Sequence, residues 1–155
     1  MKAEGKSNKS GVIDLELVSI EEGGVHIFIR GRINGKPARF LIDTGASRSV
    51  MDINRLSRFF EPGNMVLKKL EKLSTGLGTS SMESNLVILP LISFQRILIR
   101  NYNMAVLDMS HVNQSYSELG LKKIDAVIGG DLLTRFGAVI DYSKSQLKLR
   151  LIHPG

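Results

Sequence analysis

Nowhere does this chain of 155 residues carry apolar side chains at helical spacing over a long stretch; its Val, Ile, Leu and Phe residues come in short runs cut by glycine. A helix buries a stripe that returns every three to four residues, whereas a strand alternates or forms a brief apolar run, so the pattern predicts a mainly β protein. A hydrophobic content of 43% suffices for one core. One domain is therefore expected over residues 11–155. Residues 1–10, rich in Lys, Ser, Asn and Gly, offer nothing to bury and are expected to form a disordered tail.

Along the chain, Ile13, Leu15 and Leu17 alternate with Asp14 and Glu16, and Val25, Ile27 and Ile29 share one face of the next strand. Asn34-Gly35 suits the positive φ angles of a type I′ turn, so a hairpin is expected to deliver the strand 38–42 to Asp43. The segment SVMDINRLSRFF (49–60) is the best helix candidate of the first half. Further strands are expected at 65–73, 84–92 and 94–100, and a helical stretch around 116–119. The segment 126–151 reads as a strand, a short helix with Asp131 as N-cap and Gly137 as its stop, and a final hairpin.

The apolar residues Phe40, Leu41 and Ile42 run directly into a carboxylate, Asp43, within FLIDTGA. Burying a lone ionised carboxylate is costly, so something must be gained from it. Later in the chain a second apolar strand ends on paired glycines, in VIGGDLL (127–133). These two motifs, in this order, with the glycine-bearing STGLGTSS (74–81) between them and IDYSKSQLKL closing the chain, resemble the retropepsin-like aspartic proteases. The resemblance covers roughly residues 25–151, by motif order.

What it implies is an all-β, closed-barrel retropepsin fold with one or two short helices, and an aspartic endopeptidase that hydrolyses peptide bonds through water. Asp43 would be the catalytic carboxylate, with Thr44, Gly45 and Ala46 supporting the active-site loop. Ala46 matches the retroviral form, where two-lobed pepsins often carry serine. Gly76, Leu77 and Gly78 would belong to a substrate-covering flap, and Ile128, Gly129 and Gly130 to the second motif. Asp-Thr-Gly is also an ordinary turn sequence, and Gly/Ser/Thr tips occur on plain surface hairpins. Peptide hydrolysis without a metal or a covalent intermediate needs one carboxylate to take a proton from water and another to give one to the substrate carbonyl. No second Asp-Thr/Ser-Gly occurs in the chain, so the second carboxylate would come from another copy in a homodimer.

Other chemistries find little support. There is no cysteine, hence no disulfide, thiolate zinc site or thiol nucleophile. His26, His111 and His153 lack metal-ligand spacing, and no serine sits in a Gly-x-Ser-x-Gly setting. No metal or cofactor is expected. The formal charge is +6, but the basic residues are scattered in sequence; LKKLEKL (67–73) and the pair Lys122-Lys123 read as solvated faces. Neither nucleic acid nor membrane is an expected partner, since no segment reaches the roughly 20 apolar residues of a membrane helix. The polar start, with no apolar signal core after it, reads as a cytoplasmic chain. Two rival readings stay open: a protein- or peptide-binding module that keeps the fold without proteolysis, and a nucleic-acid binder using the basic surface.

Overall fold

The computed structural model describes residues 10–69 and 85–150. In chain order they form β1 (Ser10–Asp14), β2 (Glu16–Ile20), β3 (Gly24–Ile33), β4 (Lys36–Ile42), β5 (Val50–Asp52), a 3-10 helix (Leu56–Phe59) and β6 (Leu67–Lys69). Then follow β7 (Asn85–Phe94), β8 (Ile97–Leu107), α1 (Ser110–Glu118), β9 (Ala126–Ile128), α2 (Gly130–Arg135), β10 (Val139–Asp141) and β11 (Gln146–Arg150). The expected flap residues Gly76, Leu77 and Gly78 lie outside the described residues. Among the described residues, no helix is long and apolar enough to cross a membrane.

Six strands close into a barrel in the order β3-β4-β9-β5-β8-β7, because β3 pairs with β4 along one edge and with β7 at Arg32↔Ser93 and Ile33↔Ile92 along the other. Closure removes the free edges that an open sheet would expose. It also forces a close approach at the seam. A Cβ on Gly31 would lie 2.6 Å from the Ser93 carbonyl oxygen and 2.6 Å from the Phe94 ring. β2 and β6 extend the wall outside the ring, and β1, β11 and β10 form a separate three-stranded sheet.

Alternation decides which side chains fill the barrel. Ala38, Phe40 and Ile42 of β4 point inward with Ile27, Ile29 and Ile33 of β3, and Phe40 meets Phe94 edge-on at 4.9 Å. The opposite face of this wall is buried too. There Phe28, Val127, Ile124, Met109 and Tyr116 form a second, smaller core beneath α1. Val25, expected on the buried face of β3, is 48% exposed, since the strand projects beyond the barrel at its start.

The Asn34-Gly35 turn is as expected, with φ of 50° and 79°. The alternating segment 13–17 breaks at Leu15, so that β1 joins β11 while β2 joins β3. The helix expected over 49–60 is overturned: Val50–Asp52 is a strand locked between β8 and β9, and only Leu56–Phe59 coils. Its cause is local and tertiary together. The Asp52 carboxylate takes the Asn54 N–H at 3.1 Å and stops the strand with a turn, while two barrel strands offer Val50 and Met51 their backbone partners. The helix around Tyr116 spans the full Ser110–Glu118.

Candidate active site

β4 and β9 lie parallel, with Ile42 opposite Ile128, so the two motifs that stand 85 positions apart in sequence end side by side. The Asp43 N–H extends the ladder by donating to the Ile128 carbonyl at 3.0 Å. The chain then turns: the Ala46 N–H donates back to the Asp43 carbonyl at 3.2 Å, and the Gly45 N–H donates to Asp43 Oδ1 at 2.9 Å. A Cβ at Gly45 would sit 3.3 Å from that same oxygen, so glycine leaves the carboxylate room.

The second motif braces this loop from behind. The Gly130 N–H donates to the Ala46 carbonyl at 2.7 Å, the Asp131 N–H to the Ser47 carbonyl at 3.2 Å, and the Gly129 N–H to Ser49 Oγ at 2.9 Å. At Gly129 the two backbones nearly touch. A Cβ there would lie 2.6 Å from the Ala46 carbonyl oxygen and 2.7 Å from that of Arg48. Gly130 is under no such constraint, its nearest contact being 3.5 Å.

Asp131 is not the N-cap that its position suggested; Gly129 caps α2, and Asp131 is the helix's second residue. Its carboxylate turns toward the loop, accepting the Ser49 N–H and hydroxyl at 2.8 and 2.7 Å on one oxygen and the Tyr102 hydroxyl at 2.6 Å on the other. Burial pushes the Asp131 carboxyl up, but the bonds from Tyr102, Ser49 and the Leu132 N–H outweigh it and hold the group below the usual carboxylate range. The same contact raises the Tyr102 hydroxyl, through burial first and then through its bond to the Asp131 charge. Nothing in the sequence links positions 49, 102 and 131, which come together only when the barrel closes.

The front of the loop is different. Asp43, Thr44 and Gly45 are exposed, although a carboxylate following a buried strand was expected to be buried with it. Ile42, 6% exposed, is the last inward residue, and the turn directs Asp43 away from the core. Among the described residues, no group of three or more His, Asp or Glu side chains is placed to hold a metal ion.

The family model described as Aspartyl protease matches residues 29–132, a span that includes both motifs and the strands that carry them. This chain belongs to the aspartyl protease family. Solved structures agree at the level of fold. A retropepsin-like aspartic protease from Rickettsia conorii aligns at 20% identity over 90% of this chain and 88% of that one, with a TM-score of 0.52. The retroviral protease-like domain of Ddi1 from Leishmania major aligns at 17% identity over 82% and 90%, with a TM-score of 0.55. No curated protein matches the chain. The family's membership explains the order of motifs, and the retropepsin-like barrel is the fold expected from them.

Proposed function

We propose that this aspartyl protease family member is an endopeptidase that works as a homodimer, with Asp43 of each copy contributing one carboxylate to a shared site. The observation that carries the reading is the contrast within the Asp43 loop. Behind it, backbone and side-chain hydrogen bonds from Gly129, Gly130 and Asp131 fix its shape. In front, Asp43 and Thr44 face outward, where a second copy can meet them.

Across a two-fold axis the two carboxylates would stand about 3 Å apart, the arrangement of aspartic proteases, in which the pair cannot ionise twice and so shares one proton. The ionised member takes a proton from a water held between them as that water attacks the peptide carbonyl, and the protonated member gives its proton to the carbonyl oxygen. Thr44 would reach across the axis and tie the two loops. Gly45 keeps the approach to the carboxylates open, and Ala46 supports the turn. An extended peptide would lie in the groove between the copies, covered by the segments that carry Gly76, Leu77 and Gly78.

The test is cleavage of an unstructured protein from acidic to neutral pH by wild type and Asp43→Asn, with the oligomeric size of each sample measured in parallel. Cleavage by a dimer that vanishes in a still-dimeric variant supports the reading. A monomer that cleaves nothing at any concentration sinks it, and favours a binding module in which Asp43 is a loop residue.

A further inference from the structure

A cavity of about 570 Å³ lies away from Asp43, which is not among its described lining residues. It opens on the outer side of the β3–β4 hairpin, and its walls gather cations that are scattered in sequence: Arg30, Arg39, Arg55, Arg58, Lys122 and Lys123. Pro37 and Ala38 also line it, and Asp125 is the one carboxylate among its described lining residues.

Each cation arrives by a different element. Arg30 and Arg39 face each other across β3 and β4, a like-charge pairing that disfavours a sheet unless it is neutralised. Glu16 stands beside both, 3.7 Å from Arg30 and 3.2 Å from Arg39. Arg55 and Arg58, on and beside the 3-10 turn, share the single Oδ1 of Asp125. Lys122 and Lys123 precede β9, and among the described residues no carboxylate pairs with either. Among the described residues, six cations thus stand against two carboxylates, Asp125 and Glu16, an excess of four. Donors are in surplus as well: the buried Nε–H of Arg39, whose guanidinium is pinned 4.1 Å over the Phe28 ring, has no acceptor among the described residues.

Crowding uncompensated positive charge around a concave, partly apolar surface is unfavourable in the empty protein and becomes favourable when an anion enters. We propose that this cavity is a binding site for a small ligand bearing several phosphate groups. Three observations select that chemistry. The guanidinium forks match phosphate oxygens in pairs, and the lysines supply mobile point charges at the rim. The cations come from four separate segments, at residues 30, 39, 55–58 and 122–123, and converge on one concavity, whereas an acidic peptide would spread its charge along a line at one carboxylate per residue. The described lining residues include no aromatic side chain on which the bases of a nucleic-acid strand could stack. A compact oligophosphate concentrates its charge where the cations converge, and a volume of this order suits a small molecule.

The test is calorimetric titration and thermal unfolding of the full chain with inorganic tripolyphosphate. Saturable binding at one site per chain is expected, with a rise in unfolding temperature that grows with ligand concentration. Lys122→Gln/Lys123→Gln removes exposed, unpaired charges and should weaken binding at least tenfold, with unliganded unfolding unchanged. Lys144→Gln/Lys148→Gln removes the same net charge from the hairpin of β10 and β11 and should leave the affinity within twofold. Equal weakening by both pairs would reduce the effect to overall charge and overturn the proposal. So would tighter binding of an oligoglutamate peptide, which assigns the cavity to acidic proteins, or affinity that grows with single-stranded DNA length without a saturable tripolyphosphate site. None of these readouts depends on proteolysis.

Discussion

Replacing Gly129 with alanine tests whether the two motifs act as one unit. The added Cβ would stand 2.6 Å from the Ala46 carbonyl oxygen, 2.7 Å from that of Arg48 and 2.8 Å from the Arg48 carbonyl carbon. All three are backbone atoms, so no side chain can swing aside. To recover an ordinary 3.4 Å contact from 2.6 Å, the loop must retreat by about 0.8 Å, the difference between those distances. That retreat stretches the bonds Gly129 N–H to Ser49 Oγ, 2.9 Å, and Gly130 N–H to the Ala46 carbonyl, 2.7 Å. Two bonds at about 1 kcal/mol each, with an overpacking cost of about 1–3 kcal/mol, give a loss of about 3–5 kcal/mol. Gly130→Ala is the matched control: its Cβ meets nothing closer than 3.5 Å, and alanine in a helix gains about 0.5 kcal/mol. Urea unfolding at one fixed protein concentration, with a common slope, measures both. Unfolding midpoints for the two variants that differ by less than the equivalent of about 0.5 kcal/mol would refute the steric argument.

Two further substitutions address the surroundings of the site. Tyr102→Phe removes one of the donors that hold Asp131 below its ordinary range, and should cost about 1–2 kcal/mol at neutral pH. Because the folded-state carboxyl is depressed, its contribution is present above the unfolded value near 3.9 and is lost as pH falls through the lower folded value. The acid-unfolding midpoint of the variant, followed by circular dichroism, should therefore move to higher pH; a midpoint at or below that of the wild type contradicts the assignment. Asp125→Asn keeps the shape but removes the charge that pairs with Arg55 and Arg58 and accepts the Arg39 N–H at 2.8 Å. With that side chain only 4% exposed, a loss of about 3 kcal/mol is expected in denaturant titration.

How far the sequence could be read depended on the range of the interaction. The Asn34-Gly35 turn and the stop at Gly137, with φ of 52°, are dictated within a few residues and were legible. So were the two motifs themselves, each an apolar strand ending on a glycine-bearing turn, though that they belong together came from the resemblance their order carries. The segment 49–60 was not, since its preference for strand is conferred by β8 and β9, which lie far along the chain. Asp131 shows the same limit at the scale of one side chain. A carboxylate at a helix start resembles a cap, and only the closed barrel reveals that Ser49 and Tyr102 compete for it successfully. The cationic cavity was hidden for a like reason: Arg39, Arg55 and Lys122 are neighbours only because β4 and β5 both pair with β9.

The asymmetry of the Asp43 loop also decides which variant can test catalysis cleanly. Asp43 Oδ1 accepts the Gly45 N–H, and that bond belongs to the turn whatever the carboxylate does chemically. Asp43→Asn retains an amide oxygen able to accept it, so the loop should stand, with a stability change within about 0.5 kcal/mol. Asp43→Ala removes the acceptor and leaves the Gly45 N–H to water, at an expected cost of about 1 kcal/mol at this exposed position. Thermal unfolding at matched concentration distinguishes the two. If the asparagine variant were destabilised as much as the alanine variant, the charge and not the acceptor would be holding the turn, and loss of cleavage in Asp43→Asn would then report a collapsed loop. With the loop intact, the same loss reports the missing acid alone.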